Sequence, residues 1–403
     1  MTQPAPSPEL AFTLRLGQTL QAFGESAQTV EEALGRVARH LGLEGAVYAT
    51  PTGLLTTFGR DGAPARTDLI RTAAYGADLE RLAETGDLVD RVLADRIGAE
   101  AALRELEALT ARPPRHGPGR MAGAYALSAL GMAVVFGGGW REALLSAVIG
   151  LLVGIAAQVL DRHRTQISLL PLAGGLISSL GGLALGALFP AVSNPVLILS
   201  GFIVLVPGLG LLVSMQELGT GNLVAGTSRL MGTGFVLLLM ASGVALGQRI
   251  GGGWLRGTPP DPAPLPAWAV LPAIALASLG FLMVFRGARR DYPWTFLASL
   301  LAYAAAKAGA ALLGPEVGAG AAALALGAAC NHYAKLTRRP GAVLLLPSLM
   351  LILPGSLGFR SFLLMLHKQT LEGLQAGFQS IFVAVALMLG LLLANVLVPR
   401  RRF

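Results

Sequence analysis

Charge and cysteine are both scarce in this 403-residue sequence, and each scarcity excludes a class of protein. Only 13% of the residues are charged while 53% are hydrophobic, against roughly 25% charged in soluble domains. A wholly soluble fold is excluded, and the composition is that of an integral membrane protein. Cys330 is the sole cysteine, so neither an intrachain disulfide nor a thiolate-rich metal site can form. A GxxxxGK[ST] phosphate loop is missing, which argues against a primary ATP-driven pump. None of the five histidines stands in HExxH and no serine in a GxSxG elbow, so no enzymatic activity, metal or cofactor is expected. Basic and aromatic residues are not interleaved, and no nucleic-acid partner is implied. "MTQPAPSPEL" has neither a positive n-region nor an apolar h-region and does not read as a signal peptide.

The charges that are present are unevenly placed. Residues 1–120 hold 16 of the 23 acids and 13 of the 31 bases. The remaining chain is apolar and strongly basic, the pattern of arginines at membrane interfaces. We therefore expect a short disordered tail over 1–9, a small α+β domain over 10–120 and a membrane body beyond. In the head, "TVEEALGRVARHLG" reads as an amphipathic helix with Thr29 as N-cap, Glu31 and Glu32 in the positive first turn and Gly42 at its end. "EGAVYATPTGLLTTFG" reads as a hairpin about Pro51-Thr52-Gly53, and residues 68–110 as charged helix.

From Met121 onward ten apolar segments are each long enough, at 1.5 Å per residue, to cross a core of roughly 30 Å. Their approximate cores are 121–138, 142–160, 168–190, 195–215, 229–248, 267–285, 293–313, 317–334, 342–366 and 376–398. A Pro/Gly-rich linker over 251–266 divides them into repeats at 121–250 and 267–403. "ALSALGMAVVF" (126–136) aligns without gaps on "ALASLGFLMVF" (275–285), and the step from that landmark to a Pro-Gly pair is nearly equal in the two halves. Five crossings per repeat invert the second copy, so the predicted fold is a polytopic α-helical membrane protein, ten helices as a 5+5 inverted repeat. Counting Lys and Arg near the segment ends places fifteen on one face against five on the other. The positive-inside bias puts head and tail in the cytoplasm and the chain in the cell membrane as a multi-pass protein.

The fourth and ninth segments carry Pro207-Gly208 and Pro354-Gly355. Proline removes a helical hydrogen bond, glycine allows the chain to leave the helix, and in lipid the freed backbone groups need protein or a water-filled cavity beside them. Paired breaks in inverted repeats point to a central site, where half-helix N-termini suit a carboxylate and C-termini an ammonium group. Packing kinks are the competing account. Ser214, Gln216 and Glu217 follow the first break, and Ser356 the second. Glu217 reads either as a proton-coupling group or as an interfacial acid. Asn331 and His332 end the eighth segment and read as a substrate contact and a coupling group, or as an interfacial pair. Lys307 is an intramembrane candidate by default, with snorkelling as its alternative. Ser178 and Ser179 sit where they can bind a hydroxyl or pack helices through small residues.

These pieces together resemble the threonine/serine exporters. In the head the resemblance rests on Gly17, Gly24, Glu31 and Gly42. In the body it rests on "GLGLLVSMQELGTGNLVAGTSRLMGTG", with Gln216, Glu217, Gly221 and Arg229, and on "LILPGSLGF", with Pro354 and Gly355. The resemblance implies export of threonine and serine driven by the membrane potential or proton gradient. The implied partners are those amino acids, protons and the lipid bilayer; a homo-oligomer is left open. The alternative function is a membrane-anchored regulatory or partner-binding protein whose head is the working part.

Overall fold

The computed structural model describes residues 6–60, 64–72, 78–162, 169–189, 192–252, 264–353, 355–366 and 368–399. Residues 1–5 of the expected tail, 253–263 of the linker, and Pro354 lie outside them.

The head comprises α1 (Pro8–Ala22), α2 (Ala27–His40), strands β1 (Glu44–Thr50), β2 (Gly53–Gly59) and β3 (Arg66–Arg71), then α3 (Leu79–Leu93) and α4 (Ala99–Ala111). The strands form one antiparallel sheet in the order β1-β2-β3, and the expected hairpin turns at Pro51-Thr52 between paired Thr50 and Gly53. Gln21 fixes that turn: its amide nitrogen donates to Thr50 O at 2.9 Å and Gly53 O at 3.0 Å. Glu31 accepts the Ala49 N–H at 2.8 Å and so ties α2 to β1. Gly42 lies at φ 71, the left-handed conformation that closes α2.

Three local expectations change. Ser7 caps α1 by accepting the Leu10 N–H at 3.4 Å, and Pro8 occupies the first turn, so the helix starts inside the expected tail. Ser26, not Thr29, caps α2 and accepts the Thr29 N–H at 3.3 Å, which moves Glu31 beyond the first turn. Residues 68–71, expected to open a helix, belong instead to β3: "RTDLIR" alternates between half-buried and exposed positions and pairs with β2 from Phe58↔Arg66 to Gly53↔Arg71. Two arginines and an acid hide that short alternation from a hydrophobic pattern.

The body comprises α5 (Pro118–Val135), α6 (Trp140–Arg162), α7 (Leu170–Leu188), α8 (Asn194–Gly201), α9 (Gly208–Gly219), α10 (Leu223–Gly251), α11 (Val270–Val284), α12 (Tyr292–Leu313), α13 (Pro315–Thr337), α14 (Ala342–Leu349), α15 (Gly355–Leu366) and α16 (Thr370–Leu397). Each of the ten apolar segments is helical, the fourth and ninth as pairs of short helices. Six of the described helices are long and apolar enough to cross a membrane, or seven with α8 and α9 taken as one bent span. The others fall short for visible reasons. α5 and α13 are diluted by Gly, Ala and polar residues, and α14 and α15 are 8 and 12 residues long.

α8 and α9 are likewise 8 and 12 residues long. Contacts repeat as well as lengths. A Cβ on Gly131 of α5 would lie 2.4 Å from Ala273 O and 2.7 Å from Ala277 N of α11. One on Gly280 of α11 would lie 2.8 Å from Ala124 O and 2.6 Å from Ser128 N of α5. All three pairs of positions are separated by the same 149 residues, so the two helices make reciprocal use of each other's surface. Gly137 at φ 86 and Arg286 at φ 54 end α5 and α11 at matching places.

His116 lies at the seam where the head leads into α5, 7% exposed with both ring nitrogens unpartnered among the described residues. Burial pushes its pKa below the ordinary histidine value, and the nearby Arg115, Arg120 and Arg289 push the same way against Glu80. The unfolded chain therefore takes up this proton at a higher pH than the folded one. Above about pH 6.5 both forms are neutral and His116 has no effect. As the pH falls from there through the lower folded pKa, stability is lost. Thermal unfolding of the detergent-purified chain between pH 7.5 and 5 should show this loss, and His116→Gln should flatten it.

Candidate functional site

The two interruptions meet at the centre of the body. In the first, α8 stops at Gly201, one 3-10 turn covers Ile203–Leu205, and Pro207 at φ −80, ψ 48 delivers the chain to Gly208 at the start of α9. The halves are bent by 52°. Gly208 N–H donates to Val206 O at 2.8 Å, and the second interruption is closed by Ile352 N–H to Leu349 O at 2.9 Å. A Cβ on Gly355 would lie 2.4 Å from Val206 Cγ1 and 3.1 Å from Gly208 Cα, and one on Gly208 would lie 2.8 Å from Leu353 Cβ. Reciprocity therefore holds here too, because Val206 precedes Gly208 as Leu353 precedes Gly355. Phe202 and Phe359 seal the crossing edge to face at 4.8 Å.

Cavities lie on either side of the crossing. One, of about 210 Å³, is lined by Met132, Phe136, Ile203, Met350, Leu353 and Ser356 among others, and the Ser356 hydroxyl is its only polar side-chain group among the described residues. Phe136 is at the end of α5 away from the head. The other cavity, of about 190 Å³, lies beneath the head. Its head wall includes Ser26, Thr29, Asp87 and Asp90, and its body wall includes Gln216, Asn331, Arg338 and Leu349. Leu349 and Met350 are neighbours in sequence yet line different cavities.

Glu217, 1% exposed, closes the end of α9. Arg229 of α10 grips it in two places, Nε to Oε2 and Nη2 to Oε1, both at 3.0 Å. The Ala27 N–H at the start of α2 donates to Glu217 Oε1 at 3.2 Å. Glu217 accepts three hydrogen bonds, one from the start of α2 and two from the fork of a guanidinium. The group expected beside a transport site thus joins the head to the broken helix.

The other candidates divide. Gly208, Gly355 and Ser356 are brought together at the crossing, and Gln216 and Asn331 at the head-side cavity. Ser214 is buried and donates to Leu211 O at 2.7 Å, within its own helix. Lys307 is on an exposed face of α12, over the Tyr303 ring at 5.8 Å, and His332 is on an exposed face of α13; neither lines a cavity. Ser178 and Ser179 are buried without hydrogen-bond partners among the described residues, and Ser179 abuts Gly247 where α7 meets α10.

Two acids escaped the sequence reading. Glu142, at the start of α6, accepts Gly139 N and Ser193 N at 3.0 Å each and ties α6 to the entry of α8. Asp291, before α12, pairs with Arg339 and accepts the Tyr333 hydroxyl at 3.1 Å, beside the entry of α14. Extending the repeat alignment six residues past Phe136 sets Arg141-Glu142 on Arg290-Asp291, the signal that reveals them.

A small α+β head seated on a bundle of membrane-length helices, with two interrupted helices crossing at its centre, defines a multi-span membrane protein. The chain belongs to the threonine/serine exporter family: residues 11–251 match the family described as putative threonine/serine exporter, and residues 271–397 match threonine/serine exporter, ThrE. A probable threonine/serine exporter of Mycobacterium tuberculosis is 25% identical over 412 residues, covering 98% of this chain and 77% of the relative. An uncharacterized protein of Schizosaccharomyces pombe is 27% identical over 367 residues, covering 86% of this chain and 47% of the relative. Pheromone-regulated membrane protein 10 of Candida albicans is 26% identical over 255 residues, covering 60% and 22%. The chain thus spans about half or less of the length of these fungal relatives. No solved structure matches it.

Removing one member of a buried ion pair leaves the other uncompensated, at about 3–5 kcal/mol for a fully buried pair. The Arg229 side chain is 22% exposed, so Arg229→Leu should cost less, about 1–3 kcal/mol. Glu217→Gln combined with Arg229→Leu should recover part of that loss. Thermal unfolding of the single and double variants reads the coupling, and additive effects would mean the pair contributes nothing.

Proposed function

We propose that this chain is a secondary transporter that exports small hydroxylated amino acids, threonine and serine, across the cell membrane by alternating access. The observation that carries the reading is the reciprocal crossing of the two interrupted helices at Gly208 and Gly355. Reciprocal contacts at α5–α11 and at the breaks, with equal half-helix lengths, support a 5+5 inverted repeat. In such folds substrate binds where discontinuous helices meet, and rocking of one repeat against the other exposes the site to each side in turn. Cavities on both sides of one apolar partition are what that motion requires.

In this reading the head and both termini are cytoplasmic, and the cavity beneath the head is the inner approach. The start of α15 offers backbone N–H groups to the substrate carboxylate, and Ser356 offers a partner for its hydroxyl. Gln216 and Asn331 line the approach. Glu217 is the proton-coupling candidate, because it is a buried carboxylate that joins α9 to Arg229 of α10 and to the head. Lys307 and His332 have no part in this path. The relative from Mycobacterium tuberculosis, named for threonine and serine export, supports the choice of substrate.

Proteoliposomes holding the purified chain should release labelled threonine faster with an imposed proton gradient than without it. Gly355→Trp should abolish that flux, since a Cβ at this position already lies 2.4 Å from Val206 Cγ1. Wild-type flux in a folded Gly355→Trp protein would contradict the proposed centre.

A further inference from the structure

The sheet of the head has one covered face and one open face. Helices α1 and α2 pack on the inner face, where Ala49, Leu54, Thr56 and Phe58 are buried. On the outer face Tyr48, Leu55 and Leu69 stand directly opposite one another across β1, β2 and β3, and all three are exposed, Leu69 at 74%. We infer that this face docks on the head groups of an anionic phospholipid bilayer, so that the head rests on the membrane its own body crosses.

The ties between head and body place the apolar row at membrane depth. Ala27 at the start of α2 donates to Glu217 at the end of α9, and one turn further along α2 Glu31 receives the Ala49 N–H. β1 therefore descends beside α2 toward the body. It lies against α10, a membrane-length helix whose first residues, Leu223 and Val224, are exposed and apolar. The turn at Pro51-Thr52 is thus the part of β1 and β2 nearest the bilayer core, and Tyr48 is two residues, about 7 Å, above the Thr50 row. The head-group layer on each side of a bilayer is about 5–8 Å deep. Tyrosine is enriched at that depth, because its ring is apolar and its hydroxyl polar.

Charge is ordered along the same face. Arg71 shares the lowest row with Thr50 and Gly53, is exposed, and makes no ion pair or hydrogen bond among the described residues. Glu44, the acid on this face, is at the far end of β1, about 20 Å from that row. Between the apolar row and Glu44 lie Ala46, Thr57 and Thr67, the two threonines hydrogen-bonded to each other at 2.9 Å. An arginine toward the lipid phosphates, apolar groups at interfacial depth and an acid held away from the surface is the order that an anionic leaflet attracts. The guanidinium needs no fixed pose, since phosphates are present all around it.

A second copy of the chain is the other way to cover this face, and the area is too small for it. The outer face presents eleven positions, four each from β1 and β2 and three from β3, against roughly 20–30 residues a side in a stable interface. A bilayer contact has no such threshold here, because the body already holds the head beside it. The inference requires only that the body spans a membrane; it does not rest on the export reading.

The experiment uses the full-length chain in nanodiscs at one copy per disc, in a Cys330→Ser background. A small fluorophore is attached through Ala46→Cys, which is on the outer face and leaves the apolar row intact, or through Glu100→Cys at the exposed start of α4 as a control. Lipids carrying a nitroxide on the head group should quench the label at position 46 severalfold more than the label at position 100. Leu55→Ser with Leu69→Ser should bring the two labels level without lowering the unfolding temperature, because both leucines are exposed. Wholly zwitterionic discs, or Arg71→Glu, should weaken the quenching severalfold. In the unlabelled wild type, amide exchange along β3 should be slower in anionic than in zwitterionic discs, which reads the contact without any substitution. Equal quenching at 46 and 100, or quenching unchanged by the paired serines, overturns the docking surface. Quenching and exchange that ignore lipid charge overturn the anionic partner. Fluorescence at position 46 that responds to two copies per disc but not to nitroxide lipid would assign the face to a second chain and overturn the bilayer.

Discussion

A helix interrupted inside lipid exposes backbone groups that water cannot reach, and each must be met by protein. This chain solves the problem by burying one interruption against the other. The contact at Gly208 and Gly355 is closer than any side chain allows, which is why glycine starts both α9 and α15. Much of the body is arranged around that crossing. α5 and α11 cross through Gly131 and Gly280, Phe202 and Phe359 seal its flank, and the cavities lie on opposite sides of it. In the proposed reading, the apolar seal of short half-helices is the element that a rotation of one half against the other would shift. Packed interfaces switch between discrete arrangements rather than deform continuously.

The head belongs to this arrangement through specific atoms. Glu217 receives Arg229 from α10 and the Ala27 N–H from α2, so three elements share one buried carboxylate. Such a group is costly to leave unpaired, and it couples the seating of the head to the position of α9. Displacing the head would remove the Ala27 N–H from Glu217 and leave Arg229 as its partner. Glu31, the acid that the family resemblance singled out in α2, has a plainer duty in pairing with Ala49 N. In this head the resemblance marks packing as much as chemistry.

What could be read from the sequence followed from how local each signal is. The ten apolar runs and both interruptions were visible because hydropathy and a Pro-Gly pair are local. The hairpin at Thr50 and Gly53 was visible for the same reason. β3 was missed because its charged residues mask a six-residue alternation, and the α2 cap was misplaced because Ser26 and Thr29 are both competent caps. At the site, Gly208, Gly355 and Ser356 could be named from the breaks, whereas the grouping of Gln216 with Asn331 depends on α9 and α13 both packing against α16. Lys307 looked functional because it is a charge in an apolar run, but which face of α12 is buried is decided by neighbouring helices. Glu142 and Asp291 were legible in principle, since the repeat alignment sets them on each other.

The central claim is that the crossing of the breaks is the moving part of a transporter. Cysteines placed at 208 and 353 in a Cys330→Ser background test it most directly, because a Cβ on Gly208 would lie 2.8 Å from Leu353 Cβ, within reach of a disulfide after a small shift. Threonine efflux from proteoliposomes should stop when the pair is oxidised and return on reduction. Full efflux through the oxidised protein, or failure of the folded protein to cross-link at all, would contradict the account.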